Sequence, residues 1–453
     1  MGNGRRPAVE RLPRRIGRQV ARGPGNGLNH QVVAKTLTRR VCIVTPGALG
    51  SNPRTVKEAE ALSGAGFKVT VISTRHRPEV DPLDDSILDT ADWNSIRLDL
   101  RTRLRRLPGK LTHTAARFAA ERWDRAFLID RAFNAATSKL IRVARSVPAD
   151  LYIAHYPAAL PAAASAAARH GARYAFDAED FHPGDWPDDP VYEPLQRALN
   201  RIERRYLPGA AYITAAAPLI ASAYSKRYPV ALPAVILNTF PKDQAPVAPT
   251  PCGSGAPGPS LYWFSQTIGP DRGLETAVKA IGIAESRPYL YLRGLPQPGY
   301  LDDLMALADG HGVRDRLRIL DIDRPSRMVP LAAEFDIGLG IEAGQTANRR
   351  IALTNKMFTY LLAGVPALLT DIPAHRDLQQ TLGFAAKLFP VGDARAMAAR
   401  IDEWLRNAEA LQAARQEAWR LGQERYNWDY EAVRLRDCVV TALDPDGIRS
   451  PTS

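Results

Sequence analysis

The sequence has 453 residues, of which 45% are hydrophobic and 24% are charged. This length exceeds what one hydrophobic core organises, and the composition is that of a globular chain, so two domains are predicted and wholesale disorder is excluded. The cysteines Cys42, Cys252 and Cys438 form no CxxC pair, which argues against a zinc ribbon or a disulfide-stabilised secreted fold. Residues 1–40 contain no apolar stretch typical of a signal peptide, and a reducing cytoplasm is the expected location.

The net charge of +12 is concentrated in two segments. Residues 1–40 contain ten Lys/Arg and one acidic residue, whereas residues 97–147 contain thirteen Lys/Arg and four acidic residues, so the remainder of the chain is mildly acidic. The first segment has no periodic apolar face and no aromatic side chain that could stack on a base. We therefore expect a disordered tail and no nucleic-acid partner.

Between residues 41 and 240, short apolar runs alternate with helical patterns. The run 41–45 is followed by Gly47 and Gly50, a helical stretch at 54–66 and a second run at 68–73, which together predict a β-α-β unit with a glycine-containing first turn. The alternation resumes with predicted strands at 151–154, 173–176 and 211–214 and predicted helices at 160–170, 191–206 and 219–228. This pattern is typical of a doubly wound parallel sheet.

The basic segment 97–147 interrupts this first domain and interleaves arginine with apolar and aromatic side chains such as Trp123 and Phe127. One interpretation is a pair of helices that pack on the first domain and keep their arginines in water. The other is an amphipathic surface on an anionic membrane, where each Lys or Arg contributes about 1 kcal/mol. The sequence leaves both interpretations open.

Residues 241–259 contain six prolines and three glycines, a composition that predicts a linker. A second alternating series follows, with strands at 261–265, 289–293, 317–320, 335–341 and 366–370 and helices at 274–285, 301–310, 326–333 and 354–363. We expect a second domain at 260–425, a helix at 426–443 that is a candidate to cross back onto the first domain, and a tail at 444–453. The predicted architecture is two Rossmann-like parallel sheets that face a central cleft.

The segment NKMFTYLLAGVPALLTDIPAHRDL, residues 355–378, combines a polar helix start with an apolar helix and a buried strand. Unpaired backbone amides at the helix start and the charge of Lys356 suit the phosphates of a nucleotide. Arg272, in the sequence GPDRGL, leaves a tight turn before another helix of the same domain. The sequence thus predicts that Arg272 and Lys356 flank one diphosphate.

Residues 355–373 resemble the NKxFEYLxAGxPVVxSDIP segment of retaining GT-B nucleotide-sugar glycosyltransferases, the glycosyltransferase group 1 or family 4-like type. Residues 269–275 resemble the family's gxRGLE segment, and residues 151–164, 173–180 and 202–238 resemble further family segments in family order. The resemblance implies an α/β fold of GT-B architecture. It also implies transfer of a sugar from a nucleotide-diphosphate donor to a hydroxyl acceptor, with retention and without a metal or another cofactor.

The same resemblance assigns roles to individual residues. It implies that Arg272 and Lys356 hold the donor diphosphate and that His155, at a strand end, reaches the transferred sugar; these three are the predicted catalytic residues. The other predicted binding residues are Glu342, Asn355 and Thr359 on the donor side, and Gly47 and Gly50, whose turn is expected to approach the donor or the acceptor from the first domain. The acceptor is expected to be a glycan, a small molecule or a lipid-linked compound of polysaccharide biosynthesis, and the last would suit binding of residues 97–147 to the inner face of a membrane.

The chain departs from the family at two places. Thr359 and Ile351 stand where the family commonly has the two carboxylates of an E-x7-E pair, and Glu179 and Asp180 replace the His and Glu of a DaHE strand end. These departures favour an alternative function, in which a catalytically degenerate GT-B scaffold binds a glycan or a protein.

Other catalytic motifs receive less support. Asp321 and Asp323 match the D-x-D pattern of metal-dependent GT-A transferases, but the pair follows a strand beside Arg324, and no metal site is predicted. Motifs of P-loop NTPases, zinc proteases and serine hydrolases are absent. A dinucleotide dehydrogenase is a weak rival because the turn at residues 47–50 lacks the third glycine of the dinucleotide-binding motif.

Overall fold

The computed structural model describes residues 39–101, 126–250 and 257–444. Within these residues, seven parallel strands form the sheet of the first domain in the order β3-β2-β1-β4-β5-β6-β7. They are β1 (Arg40–Val44), β2 (Lys68–Arg75), β3 (Asn94–Asp99), β4 (Leu151–His155), β5 (Arg173–Ala178), β6 (Ile213–Ala215) and β7 (Ala234–Val235). The central strands β1 and β4 pair with Val41 opposite Leu151, and their buried side chains explain the continuous apolar runs in the sequence.

The second domain contains a six-stranded parallel sheet among the described residues, in the order β10-β9-β8-β11-β12-β13. Its strands are β8 (Ser260–Ile268), β9 (Tyr289–Pro296), β10 (Leu317–Leu320), β11 (Ile337–Gly340), β12 (Ala367–Thr370) and β13 (Ala386–Phe389). The strand order reverses between β8 and β11, so their carboxyl ends open a crevice in which ligands of such sheets bind. The predicted α/β architecture of two Rossmann-like sheets is confirmed.

Helices cover both sheets. The helices of the first domain are α1 (Pro53–Gly64), α2 (Asp81–Leu88), α3 (Ala126–Phe133), α4 (Thr137–Ala144), α5 (Leu160–His170), α6 (Glu193–Tyr206) and α7 (Pro218–Arg227). Those that follow are α8 (Leu274–Ile283), α9 (Tyr300–Gly310), α10 (Met328–Ala332), α11 (Ala347–Ile351), α12 (Asn355–Ala363), α13 (Pro373–Leu382), α14 (Ala394–Leu405), α15 (Ala408–Glu424) and α16 (Trp428–Leu443).

The last helix, α16, returns to the first domain. Val439 and Ala442 pack in one apolar cluster with Val41 and other residues of the first sheet. Near the start of the helix, Glu431 Oε2 accepts a hydrogen bond from the backbone amide of Leu237 at 3.1 Å. The chain therefore crosses between the domains twice, once at the linker and once before α16.

The described part of the basic segment packs on the first domain. Leu140 and Ala144 of α4 are fully buried in its core, and Tyr206 of α6 donates a hydrogen bond to Asp130 of α3 at 2.7 Å. Residues 102–125 lie outside the described residues, as do residues 1–38, Cys252 and residues 445–453. No helix in the described ranges is both long and apolar enough to cross a bilayer.

Besides the two-residue edge strand β7, whose residues are both half-buried, the sequence patterns missed the edge strands β3 and β13. All residues of β3 are exposed or only half-buried, and β13 is buried only at its two ends. An edge strand is paired on one side only and is partly exposed, so neither segment forms the continuous apolar run by which a central parallel strand is recognised.

Candidate active site

Cationic side chains of the second domain converge on one buried carboxylate, that of Glu342, which follows β11 and is 2% exposed. Arg349 Nη1 donates a hydrogen bond to Glu342 Oε2 at 3.0 Å, and Lys356 Nζ lies 3.7 Å from Oε1. Burial lowers the pKa of Arg272, the charge of Arg349 lowers it further, and Glu342 opposes both effects. Arg272, Arg349 and Lys356 form what we call the cation cluster, which has more positive charge than Glu342 neutralises and suits an anion.

Lys356 is the most enclosed member of the cation cluster. It is 5% exposed, and its Nζ lies 5.5 Å from the centre of the Trp263 ring. Burial lowers the pKa of Lys356, Glu342 opposes this, and repulsion from Arg272 and Arg349 adds to the decrease. Arg272 and Lys356 are therefore electrostatic neighbours, and an anion bound between them would relieve their repulsion.

The start of α12 adds backbone donors next to this cluster. The helix begins at Asn355, the residue before it is Thr354, and no side chain caps the amides of the first turn. Thr354 Oγ1 is buried and has no hydrogen-bond partner. Free amides at a helix start together with a cation form an anion site, so the location of Asn355 and Lys356 fits a phosphate.

A cavity of about 310 Å³ opens beside Glu342 at the carboxyl ends of the strands of the second sheet. Its volume lies in the range of small-molecule sites. Val391, which is 44% exposed, provides apolar surface in its wall. The residues that line the cavity include Asp271, Gly273, Glu275, Thr276, Ile341, Glu342, Thr370, Phe389 and Val391.

Thr359 lies one helical turn after Asn355 and is fully buried. Its hydroxyl donates a hydrogen bond to the backbone carbonyl of Asn355 at 3.0 Å. The side chain is thus used inside α12, and no free hydroxyl of Thr359 is presented to the cavity.

His155 ends β4 but is only 1% exposed. Its Nε2 lies 2.5 Å from Glu58 Oε2 and its Nδ1 lies 3.4 Å from Asp177 Oδ2. Burial by itself lowers the pKa of His155, but the carboxylates of Glu58 and Asp177 outweigh it, so the pKa lies above its ordinary value. The structure encloses His155 between two carboxylates instead of opening it to the cleft.

Arg54 completes this buried network. It donates two hydrogen bonds to Asp177, from Nε and Nη2, each at 2.7 Å, and a third to the carbonyl of Ile236. Burial raises the pKa of Asp177, but Arg54 outweighs it and lowers the pKa to about 2. Sequence reasoning missed Arg54 and Glu58, although their i,i+4 spacing on the helix after the glycine turn places them on one face.

The backbone amides of the two predicted glycines, Gly47 and Gly50, donate hydrogen bonds to side chains of the first domain. Gly47 donates to Thr45 Oγ1 at 3.2 Å, and Gly50 donates to Asp84 Oδ1 at 2.7 Å. A Cβ atom on Gly50 would lie 2.9 Å from the side chains of Leu83 and Val80. Close packing against the segment that enters α2 therefore explains the glycine at position 50.

Arg349 is the member of the cation cluster that sequence reasoning missed. It lies in α11, in the sequence ANRRI that directly precedes the NKMF segment. The sequence signal for Arg349 is its position beside Arg350, between the end of β11 and the start of α12, where a phosphate was predicted to bind.

Asp321 and Asp323 contact neighbouring arginines. Asp323 forms an ion pair with Arg327 at 3.4 Å, and the carbonyl of Asp321 accepts a hydrogen bond from Arg293 at 2.6 Å. Among the described residues, no three His, Cys, Asp or Glu side chains are arranged to hold a metal ion.

Comparison with known proteins supports the two-domain fold described above. Residues 50–238 match the glycosyl transferase 4-like domain family, whereas no curated protein sequence matches the chain. Solved structures with the same fold include Anabaena HepE in complex with UDP-glucose, which is 14% identical with a TM-score of 0.67 over 89% of this chain and 99% of HepE. Sucrose-phosphate synthase from Thermosynechococcus elongatus is 14% identical with a TM-score of 0.66 over 90% of this chain and 100% of its own.

A third similar structure is S. aureus TarM, in its G117R form with fondaparinux, alpha-GlcNAc-glycerol and UDP. It is 8% identical, with a TM-score of 0.64 over 90% of this chain and 100% of TarM. These similarities establish the two-domain fold, and the domain match covers most of the first sheet. Residues 50–238 thus match a glycosyl transferase 4-like domain, and the described residues of the chain have the GT-B fold of these solved structures.

Proposed function

We propose that the protein transfers a sugar from a nucleotide-diphosphate donor to a hydroxyl acceptor, with retention of the anomeric configuration and without a metal ion or organic cofactor. The observation that carries the proposal is that Arg349 and Lys356 contact Glu342 at the start of α12, while Arg272 is close enough to interact electrostatically with all three residues. As the glycosidic bond breaks, negative charge develops on the diphosphate. Fixed cations and helix amides stabilise that charge without reorganisation.

The adjacent cavity supports a nucleoside as the other part of the donor. Its volume of about 310 Å³ and its partly apolar wall suit a base and a ribose. HepE and TarM have both been solved with UDP, so uridine is the first base to test. The retaining outcome is supported by the resemblance of residues 355–373 to retaining transferases.

The acceptor is proposed to enter from the first domain and to be a glycan, a small molecule or a lipid-linked compound. A lipid-linked acceptor would place the protein at the inner face of a membrane and in polysaccharide biosynthesis. The basic segment 97–147 supports this version through its charge and its interleaved aromatic residues.

Substitutions in the cation cluster test the donor site. Arg272→Ala and Arg349→Ala should each weaken UDP binding by about tenfold to a hundredfold, because a hydrogen bond to a charged group contributes about 1.5–3 kcal/mol. Isothermal titration calorimetry measures this effect. The matched control is Arg376→Ala in the same domain, whose guanidinium pairs with Asp371 at the surface and whose loss should leave binding unchanged. Wild type that binds neither UDP nor GDP would contradict the proposal.

One observation favours the alternative of a catalytically degenerate scaffold. Thr359 and Ile351 occupy the positions of the family's E-x7-E carboxylates, and the Thr359 hydroxyl is bonded within its own helix. Release of UDP from UDP-sugars, by transfer or by hydrolysis, separates the two functions. Binding of donors without any release of UDP would support the scaffold.

A further inference from the structure

The two domains meet where a loop of the first contacts a short helix of the second. The loop, residues 180–185, follows β5 and is called here the acidic loop. Asn348 of α11 is 8% exposed. Its Nδ2 donates hydrogen bonds to Asp180 Oδ1 and Asp185 Oδ1, both at 2.8 Å, and its Oδ1 accepts one from the Phe181 amide at 2.8 Å. Both polar atoms of the Asn348 amide are thus bonded across the domain boundary.

The fit between the acidic loop and α11 is also steric. A Cβ atom added to Gly184 would lie 2.8 Å from Ala347 Cβ and 2.9 Å from the amide nitrogen of Asn348. Within the loop, His182 Nδ1 lies 3.0 Å from Asp185 Oδ2, which fixes the carboxylate that Asn348 contacts. The loop therefore packs against the backbone of α11 with no space to spare.

The residue after Asn348 belongs to the cation cluster. Arg349 donates to Glu342 Oε2, and its backbone amide donates to Thr346 Oγ1 at 3.2 Å, which caps α11. Successive residues of a helix point about 100° apart. One helical turn thus contacts the first domain through Asn348 and the cation cluster through Arg349.

We propose that Asn348 is a positioning residue whose bonds to the acidic loop hold Arg349 in place for the donor diphosphate. Docking of the two domains through Asn348 and binding of the diphosphate are then coupled, because both require the same orientation of α11. The inference rests on the proposed function, since it takes the diphosphate as the ligand of the cation cluster.

The test is a double-mutant cycle with UDP as the probe. Asn348→Asp keeps the shape and the acceptor for the Phe181 amide, but it places a third carboxylate against Asp180 and Asp185. We expect it to weaken UDP binding about tenfold, within the usual range of coupling between two sites. In an Arg349→Ala background it should have no further effect. Equal losses in both backgrounds would overturn the proposal, because Asn348 would then act independently of Arg349.

A charge-neutral exchange provides the rescue. Asp180→Asn made together with Asn348→Asp restores a donor opposite an acceptor, so UDP affinity should recover relative to Asn348→Asp alone. No recovery would contradict the proposal. Should Asn348→Asp not fold, Gly184→Ala displaces the acidic loop without changing a charge and carries the same expectation for UDP affinity.

Hydrogen exchange without nucleotide separates failure of this inference from failure of the proposed function. Amides of residues 180–185 and 347–351 should exchange faster in Asn348→Asp than in wild type. Faster exchange with unchanged UDP affinity would refute the coupling and leave the donor site intact. Wild type that binds no nucleotide would refute the proposed function, and with it the coupling to a diphosphate.

Discussion

Arg54, Glu58, His155 and Asp177 show how paired charges persist in the core of the first domain. Two cations and two carboxylates share one buried network, in which Arg54 holds Asp177 through two hydrogen bonds of 2.7 Å and His155 lies between the carboxylates. Removing one partner of such a network leaves a buried charge uncompensated, which costs about 3–5 kcal/mol. The network therefore makes the stability of the domain depend on pH.

The pH dependence has two limbs of opposite sign. The folded-state pKa of Asp177 is lowered to about 2, so its contribution to stability is present above about pH 4 and is lost as pH falls toward 2. The folded-state pKa of His155 is raised, so its contribution is complete below about pH 6.5 and is lost as pH rises through the folded-state value. Urea unfolding between pH 6 and pH 9 should show falling stability in wild type and a flatter profile in His155→Gln. Identical slopes for the two proteins would contradict the assignment to His155.

The helix α16 follows the second domain in the chain and packs on the first domain. Leu435 is 3% exposed and packs with Trp428 and Ile236 in a small cluster between α16 and the first domain. The packing of α16 is thus a contact between segments far apart in the chain. It attaches the C-terminal end of the described chain, which follows the second domain, to the first domain.

Truncation of Leu435 measures how much that contact stabilises the fold. Leu435→Ala should lower the free energy of unfolding by about 2–4 kcal/mol, because it leaves a cavity in a buried cluster. Val433→Ala on the same helix, at a residue that is 47% exposed, should change it by less than about 0.5 kcal/mol. Urea unfolding followed by fluorescence gives both values. Equal effects of the two substitutions would show that α16 is not stabilised through this face.

At the scale of the whole molecule, the positive charge is distributed unevenly. Residues 97–147 contain thirteen of the cationic residues, yet the described helices of this segment, α3 and α4, pack on the first domain through Asp130, Leu140 and Ala144. Arg101 is already paired with Asp81 and Asp99. Arg97 is paired with Asp85 as well, so a membrane surface would have to be recognised by other arginines of the segment.

Vesicle binding tests that surface. Wild type should co-sediment with vesicles of phosphatidylcholine and phosphatidylglycerol, and replacement of Arg103, Arg105 and Arg106 by Glu should abolish this, because each cation contributes about 1 kcal/mol. Arg101 stays unchanged because of its ion pairs. The control with equal charge is replacement of Lys279, Arg324 and Arg395 by Glu in the second domain, where these three side chains are exposed. Binding that is the same for both triple variants would contradict a membrane role of residues 97–147.

Much of the fold was predictable because its determinants are local. The helix predicted at 160–170 and the strand predicted at 317–320 have the observed bounds, since an apolar run or a helical period is visible in the residues themselves. The GT-B fold predicted from ordered family segments is confirmed. The edge strands β3 and β13 were missed because polar residues interrupt their apolar residues, in NSIRLD and AKLF respectively.

For the candidate site, the sequence by itself determined the types of residue near the proposed donor: a lysine at the start of an apolar helix and an arginine that leaves a tight turn. The tertiary structure decided which groups they meet. It brought Arg349 onto Glu342, enclosed His155 between Glu58 and Asp177, and bonded Asn348 to Asp180, 168 positions away. Helix starts and apolar runs depend on neighbours within a few residues, whereas the pairing of buried charges depends on how distant segments pack, and local sequence patterns carry no record of that packing.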